Sequence, residues 1–147
     1  MSLTGLEVFD DTLHKTNVWL KEIEGVLGSD RKDAYQSLRA VLHCLRDRLT
    51  VDEAAQLGDQ LPMLIRGIYY EGWHPAGKPE KVRSRDEFLA WIGSRLPKTR
   101  LIDREADAAR AVFQSLEHHV SAGELGDVLQ SLPKEIRALW PGHQSAT

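Results

Sequence analysis

Apolar residues recur along this chain at intervals of three and four, and nowhere alternate over a strand's length. Phe9, Leu13, Thr16, Leu20, Ile23 and Leu27 form one face of a first helix, which Gly28-Ser29 ends. Ala34, Leu38, Val41, Leu42, Leu45 and Leu49 predict a second helix from about Asp30 to Arg48. Thr50-Val-Asp-Glu53 reads as a capping box that starts a short third helix through Ala54, Ala55 and Leu57. Asp59 or Gln60 opens a fourth, with Pro62 in its first turn, Leu64, Ile65, Ile68 and Tyr69 along it, and Gly72 as its stop. Ser84-Arg-Asp-Glu87 is a second capping box. It launches a fifth helix bearing Phe88, Leu89, Trp91, Ile92 and Leu96, halted at Pro97. A sixth starts near Asp103 with Ala106, Ala109, Val112, Phe113, Leu116 and Val120. Ser121 to Glu124 caps a seventh through Leu125, Val128 and Leu129, and Pro133 to Trp140 form an eighth, stopped by Pro141-Gly142. The expected fold is all-α.

The pattern also repeats. Displaced by 71 positions, Ala40, Val41, Leu45, Glu53, Leu61, Pro62, Ile65 and Arg66 fall on Ala111, Val112, Leu116, Glu124, Leu132, Pro133, Ile136 and Arg137, with Tyr69 on Trp140. Such self-similarity implies two copies of one helical unit. The first copy runs over about 5–72 and the second over about 84–141, joined by a loop at 73–83; two prolines and two glycines within residues 72–79 exclude regular structure there. Neither copy has a stripe to spare, so both are expected to share one core in a single domain over 1–143, with an approximate internal two-fold. Residues 144–147 form a small polar tail expected to fray.

Residues 45–92 resemble a known family. Leu-Arg-Asp-Arg-Leu-Thr-Val-Asp-Glu-Ala (45–54), Gln-Leu-Pro (60–62), Ile-Arg-Gly-Ile-Tyr-Tyr-Glu-Gly-Trp (65–73), Lys-Pro (78–79) and Glu-Phe-Leu (87–89) are similar to the bacterial family named domain of unknown function 2267. The likeness extends over roughly 5–140, and Tyr-Glu-Gly-Trp-x-Pro-x-x-Lys-Pro is its most specific part. The resemblance implies a helical, internally duplicated bacterial protein. It implies no reaction and no catalytic residue.

Composition narrows the class. The 147 residues are 41% apolar and 28% charged, as in globular domains. No apolar run is long enough to span a bilayer, and the N-terminus does not read as a secretory signal. A lone cysteine, Cys44, fits a reducing cytoplasm. Net charge is −3, but residues 74–100 carry seven basic and three acidic side chains, a local +4.

No zinc-protease helix, phosphate-binding glycine loop or nucleophile elbow is present, and no cofactor is expected. His43 and Asp47 lie four apart, but two ligands are too few for a metal, and the apolar stripe of their helix places them in solvent. Cys44 beside them reads as a packed thiol. His118 and His119 suit the dipole at a helix C-terminus, and the paired acids Asp10-Asp11, Asp52-Glu53 and Glu22/Glu24 read as structural. Arg66 and Arg137 are repeat equivalents. They either converge on a shared anion or each pair with the capping-box acid of their own copy, Glu53 and Glu124, which is the less demanding arrangement.

The connector carries the best binding signal. Tyr69, Tyr70 and Trp73 offer aromatic anchors, and His74, Lys78, Arg83 and Arg85 follow on a loop. Either these aromatics are exposed together as an interface, or Trp73 tucks into the seam and the cations merely solubilise the linker. The reading is therefore a non-enzymatic helical module that contacts a protein partner, or a second copy, through 69–85. The alternative is a carrier or enzyme for a small anionic ligand, with a pocket between the copies that uses Arg66 and Arg137. Nucleic acid through 78–100 ranks last, because aromatics and cations are segregated and overall charge is negative.

Overall fold

The computed structural model describes residues 2–97, 101 and 103–142, and over these it is all-α, without strands. Eight helices follow in order: α1 (Glu7–Leu27), α2 (Arg31–Arg48), α3 (Val51–Asp59), α4 (Met63–Tyr70), α5 (Arg85–Arg95), α6 (Glu105–His119), α7 (Ala122–Gln130) and α8 (Lys134–Arg137). The polar tail at 144–147 and two cations of the basic stretch, Lys98 and Arg100, lie outside the described residues. No helix among the described residues is long and apolar enough to cross a membrane.

The helix ends follow their local chemistry. Gly28 closes α1 in the left-handed region (φ 64°), and its N–H donates to Glu24 O at 2.8 Å. Asp30 caps α2 by accepting from Asp33 N–H. Pro62 and Pro133 precede α4 and α8 with nearly the same backbone angles, φ −58° with ψ 152° and 151°. The last helix is shorter than its apolar spacing predicts. After Arg137 the chain continues in turns, with Leu139 and Trp140 N–H bonding three residues back.

Of the three expected capping boxes only one closes. Ser84 Oγ accepts from Glu87 N–H at 3.0 Å and Glu87 Oε1 accepts from Ser84 N–H at 3.2 Å. Thr50 and Ser121 accept from Glu53 and Glu124 N–H, but neither glutamate returns the bond. Helices α3 and α7 pack against each other, and the two glutamates meet across that contact instead. The backbone N–H of Ser121 finds its acceptor in Gln60 Oε1, from the end of α3.

Buried side chains from all eight helices form one apolar cluster. Helix α2 runs through its middle and touches α1, α4, α5 and α6. It is therefore covered all round near its C-terminal end, where Val41 to Asp47 are all buried. This corrects the expectation that His43 and Asp47 face solvent, which assumed a single buried stripe. Phe9 departs the other way. Placed on the buried face of α1 by its spacing, it is 47% exposed, because it borders an open apolar groove with Tyr35 of α2 and Met63 and Leu64 of α4. Between α5, α6 and the C-terminal turns the core is aromatic: Phe113 lies flat on Trp140 at 4.1 Å between ring centres, and Phe88 is 6.3 Å from Phe113.

One buried polar contact fixes how α4 meets α2. Arg46, 2% exposed, donates through Nη1 to the carbonyls of Tyr69 (2.7 Å) and Glu71 (2.8 Å) at the end of α4. Its Nε and Nη2 grip the Asp47 carboxylate at 2.7 and 3.1 Å. A helix end needs partners for its last carbonyls, and a buried guanidinium needs acceptors for its donors, so each solves the other's problem.

Replacing Arg46 with Met leaves Asp47 as a buried charge without this partner and strips two carbonyls. Urea denaturation should show a loss of about 3–5 kcal/mol. A second site tests packing between α3 and α4. A Cβ added at Gly58 would fall on the Tyr70 phenol, 2.6 Å from Cζ. Gly58→Ala should cost roughly 1–3 kcal/mol and displace Tyr70, seen as a change in near-UV circular dichroism.

Candidate functional site

The segment that leaves α4 does not hang free. Glu80 N–H donates to Asp47 O at 2.8 Å, and Arg48 donates through Nε to Val82 O. Both ties run back to the end of α2. Together α2, the 71–80 segment and α5 enclose a polar cleft of ≈ 500 Å³.

Four permanent cations line this cleft: Arg39, Arg46, Lys78 and Arg95. Three carboxylates oppose them: Asp47, Glu71 and Glu80. Arg46 is fully engaged, as described above. Arg95 approaches the Asp47 carboxylate at 3.5 Å and lies over the Trp91 ring at 5.5 Å from its centre. Arg39 pairs with Glu71 at 2.9 Å, and Lys78 with Glu80 at 3.2 Å. In these two pairs the acid is the outer member, with side chains 60% and 46% exposed.

His43 and His74 complete the lining. His43 Nε2 donates to Ile68 O at 2.7 Å, since a carbonyl can only accept, so Nε2 carries the proton. Burial holds the His43 pKa below the ordinary 6.5. The bond to Ile68 opposes this, and the charges of Arg46, Arg39 and Arg95 reinforce it. The ring is neutral at pH 7. Cys44, one residue on, is fully buried, and burial pushes its thiol up to about 12, so it is no nucleophile.

The structure sorts the residues that the sequence singled out. His74 and Lys78 line the cleft. Tyr69 does not belong to any surface: it is wholly buried, its O–H donates to Ala54 O at 2.7 Å, and it is corrected here from anchor to core. Tyr70 and Trp73 are half-buried and follow it in a chain of ring contacts, Tyr70 edge-on to Tyr69 at 5.0 Å and tilted against Trp73 at 5.3 Å between ring centres. The three aromatics therefore do not form an exposed anchor. They cover apolar surface beside the core. Arg83 and Arg85 are exposed and contribute nothing to the lining.

Arg66 departs from its expected local pairing with Glu53. It donates to Gly58 O at 3.1 Å and to Leu61 O at 2.9 Å, and so closes the end of α3. Glu53 is occupied by Glu124. Arg66 also borders a separate cavity with Trp19 and His119, which Arg137 does not line. His119 stacks on Trp19 at 4.9 Å and meets Glu22 at 3.0 Å, while His118 reaches the same carboxylate at 3.7 Å. These histidines serve the α1–α6 contact rather than the helix dipole alone. The paired acids are engaged locally: Asp10 with Ser2 and Thr4, Asp11 with Lys15, and Glu24 with Arg31.

Sequence reasoning missed Arg39, Arg46 and Arg95 as cleft residues. A signal was available for the first two. Arg39, His43, Arg46 and Asp47 follow at helical spacing, a continuous polar stripe along two turns of α2. Arg95 carries no such signal, because its place depends on how α5 packs against α2.

No curated protein matches the chain significantly. A family model described as an uncharacterized conserved protein, DUF2267, matches residues 16–139, most of the chain. The aromatic-to-Lys-Pro segment that carried the resemblance forms one wall of the cleft. By the extent of this match, the chain belongs to the DUF2267 family.

Proposed function

We propose that this chain is a binding module that takes an anionic group, a carboxylate or a phosphate, in the cleft between α2, the 71–80 segment and α5. One observation carries the reading. Arg39, Lys78 and Arg95 converge on a cavity of ≈ 500 Å³, a size typical of small-ligand sites, and the acids that occupy two of them sit outermost and exposed. Exposed ion pairs are worth about 0–1 kcal/mol, so Glu71 and Glu80 yield readily to a ligand anion that enters deeper. Buried Arg46 and Asp47 hold the donors in place and are not themselves exchanged.

The same chemistry accommodates a small molecule or an acidic side chain of a protein partner at the connector. Loss of Tyr69 as a surface anchor favours the small molecule. This reading moves the anion site away from Arg66 and Arg137, and it needs no catalytic group. The duplication read from the sequence is a further part of the proposal. Its support is the matched backbone at equivalent caps, such as φ −60° at both Thr50 and Ser121. A buried, unpaired Cys44 fits a reducing cytoplasm.

Isothermal titration with inorganic phosphate, citrate and an acidic peptide tests the cleft. At least one probe should bind, more weakly as salt rises. Arg95→Gln and Lys78→Gln should each weaken it about 10- to 100-fold, the worth of one charge-assisted hydrogen bond. Glu71→Gln should tighten it. Tight peptide binding with no response to free anions assigns the site to a partner protein. A chain that binds none of the probes at low salt, or binds them unchanged in both cation variants, overturns the proposal.

A further inference from the structure

Away from the cleft, the contact between α3 and α7 brings together two carboxyl groups from equivalent positions. Glu53 and Glu124 each stand third in their helix, five residues after the end of α2 or α6. Each backbone N–H is held by its own cap, Thr50 or Ser121, and each side chain turns across the interface to the other. Glu53 Oε2 and Glu124 Oε2 are both buried from water and lack a hydrogen-bond donor. Two ionised carboxylates only accept, so their contact is repulsive unless a proton lies between them.

We propose that Glu53 and Glu124 share one proton, forming an acid–carboxylate clasp that joins the starts of α3 and α7 and loosens when that proton is lost. The protonated carboxyl donates its O–H to the other, which satisfies both orphaned oxygens with one bond. The surroundings favour retention of the proton. Asp127 on α7 and Asp59 on α3 add negative charge near Glu124, and the Tyr69 phenol from α4 feels both glutamates while its own O–H is committed to Ala54 O. Burial, the hydrogen bond to Glu53 and the Glu53 charge push Glu124 up to about 8. The midpoint falls close to physiological pH, so the clasp responds to modest alkalinisation.

The sign follows from linkage. Glu124 releases its proton near 4.5 when unfolded and near 8 when folded. Its contribution is complete below about 4.5 and is lost as pH rises through about 8, by up to about tenfold in the folding constant per pH unit. His43 acts oppositely, since its lowered pKa costs stability as pH falls below about 6.5. A comparison with a glutamine variant cancels it.

Denaturant titrations at pH 5, 7 and 9 should therefore show Glu124→Gln gaining on the wild type as pH rises, because the amide donates to Glu53 at every pH. Glu53→Gln should do the same by the reverse bond. Unfolding the wild type at pH 7 should release close to one proton more than either variant, read from calorimetry in buffers of different ionisation heat. That measurement stands on the wild type if a variant fails to fold. Parallel pH profiles, or no proton release, overturn the clasp. So does a wild type whose stability at pH 9 is restored by millimolar Mg²⁺ or Ca²⁺ without protonation, which would mean that a cation sits between the two carboxylates.

Discussion

The structure turns on the burial of Arg46. A guanidinium almost wholly removed from water has five donors to satisfy, and here the acceptors come from several directions at once. Two carbonyls of the α4 terminus and the carboxylate of Asp47 take four of its contacts. Asp47 then extends the arrangement outward, through its carboxylate to Arg95 on α5 and through its carbonyl to Glu80 in the connector. Four parts of the chain are thus oriented by one neighbouring pair of residues. Apolar contacts supply the bulk of the stability but have no direction. The arginine pair supplies the direction, and with it the shape of the cleft.

The cleft and the clasp use charge in contrasting ways. In the cleft, buried charges are fully paired and the exchangeable pairs lie at the rim, where water lowers the cost of separation. At the clasp, two carboxyl groups meet with one oxygen of each shut off from water, and the proton rather than a counter-charge resolves the conflict.

Helix number, order and most boundaries were legible, because periodicity and caps are local properties of the chain. The stripe of α2 gave its buried apolar residues correctly, but local reasoning allots a helix one buried face. Local reasoning has no means to know that α4, α5 and the connector cover the opposite face, and so it places His43 and Asp47 in water. Glu53 and Glu124 failed for the same reason. Their sequence context specifies a capping box, and only the packing of α3 on α7 redirects them; Glu87, without such a neighbour, completes its box. Its place near a loop suggests a surface role for Tyr69, although Trp140, 71 residues on, sits on the apolar pattern of the last helix. Of the cleft, His74 and Lys78 are visible in the sequence as polar connector residues, whereas Arg39, Arg46 and Arg95 acquire meaning only when α2, α5 and the connector are assembled.

The connector itself has one more consequence. A loop with several prolines and glycines between helices has the composition of a hinge, and hinges allow the segments on either side to trade places between molecules. Here the segment is stitched to the end of α2 at Glu80 and at Val82, and Lys78 is largely enclosed. Exchange would first require those stitches to be undone and the arginine-centred polar system to be exposed. The chain is thereby biased against intertwined dimers, and any association between copies has to proceed through intact outer surfaces.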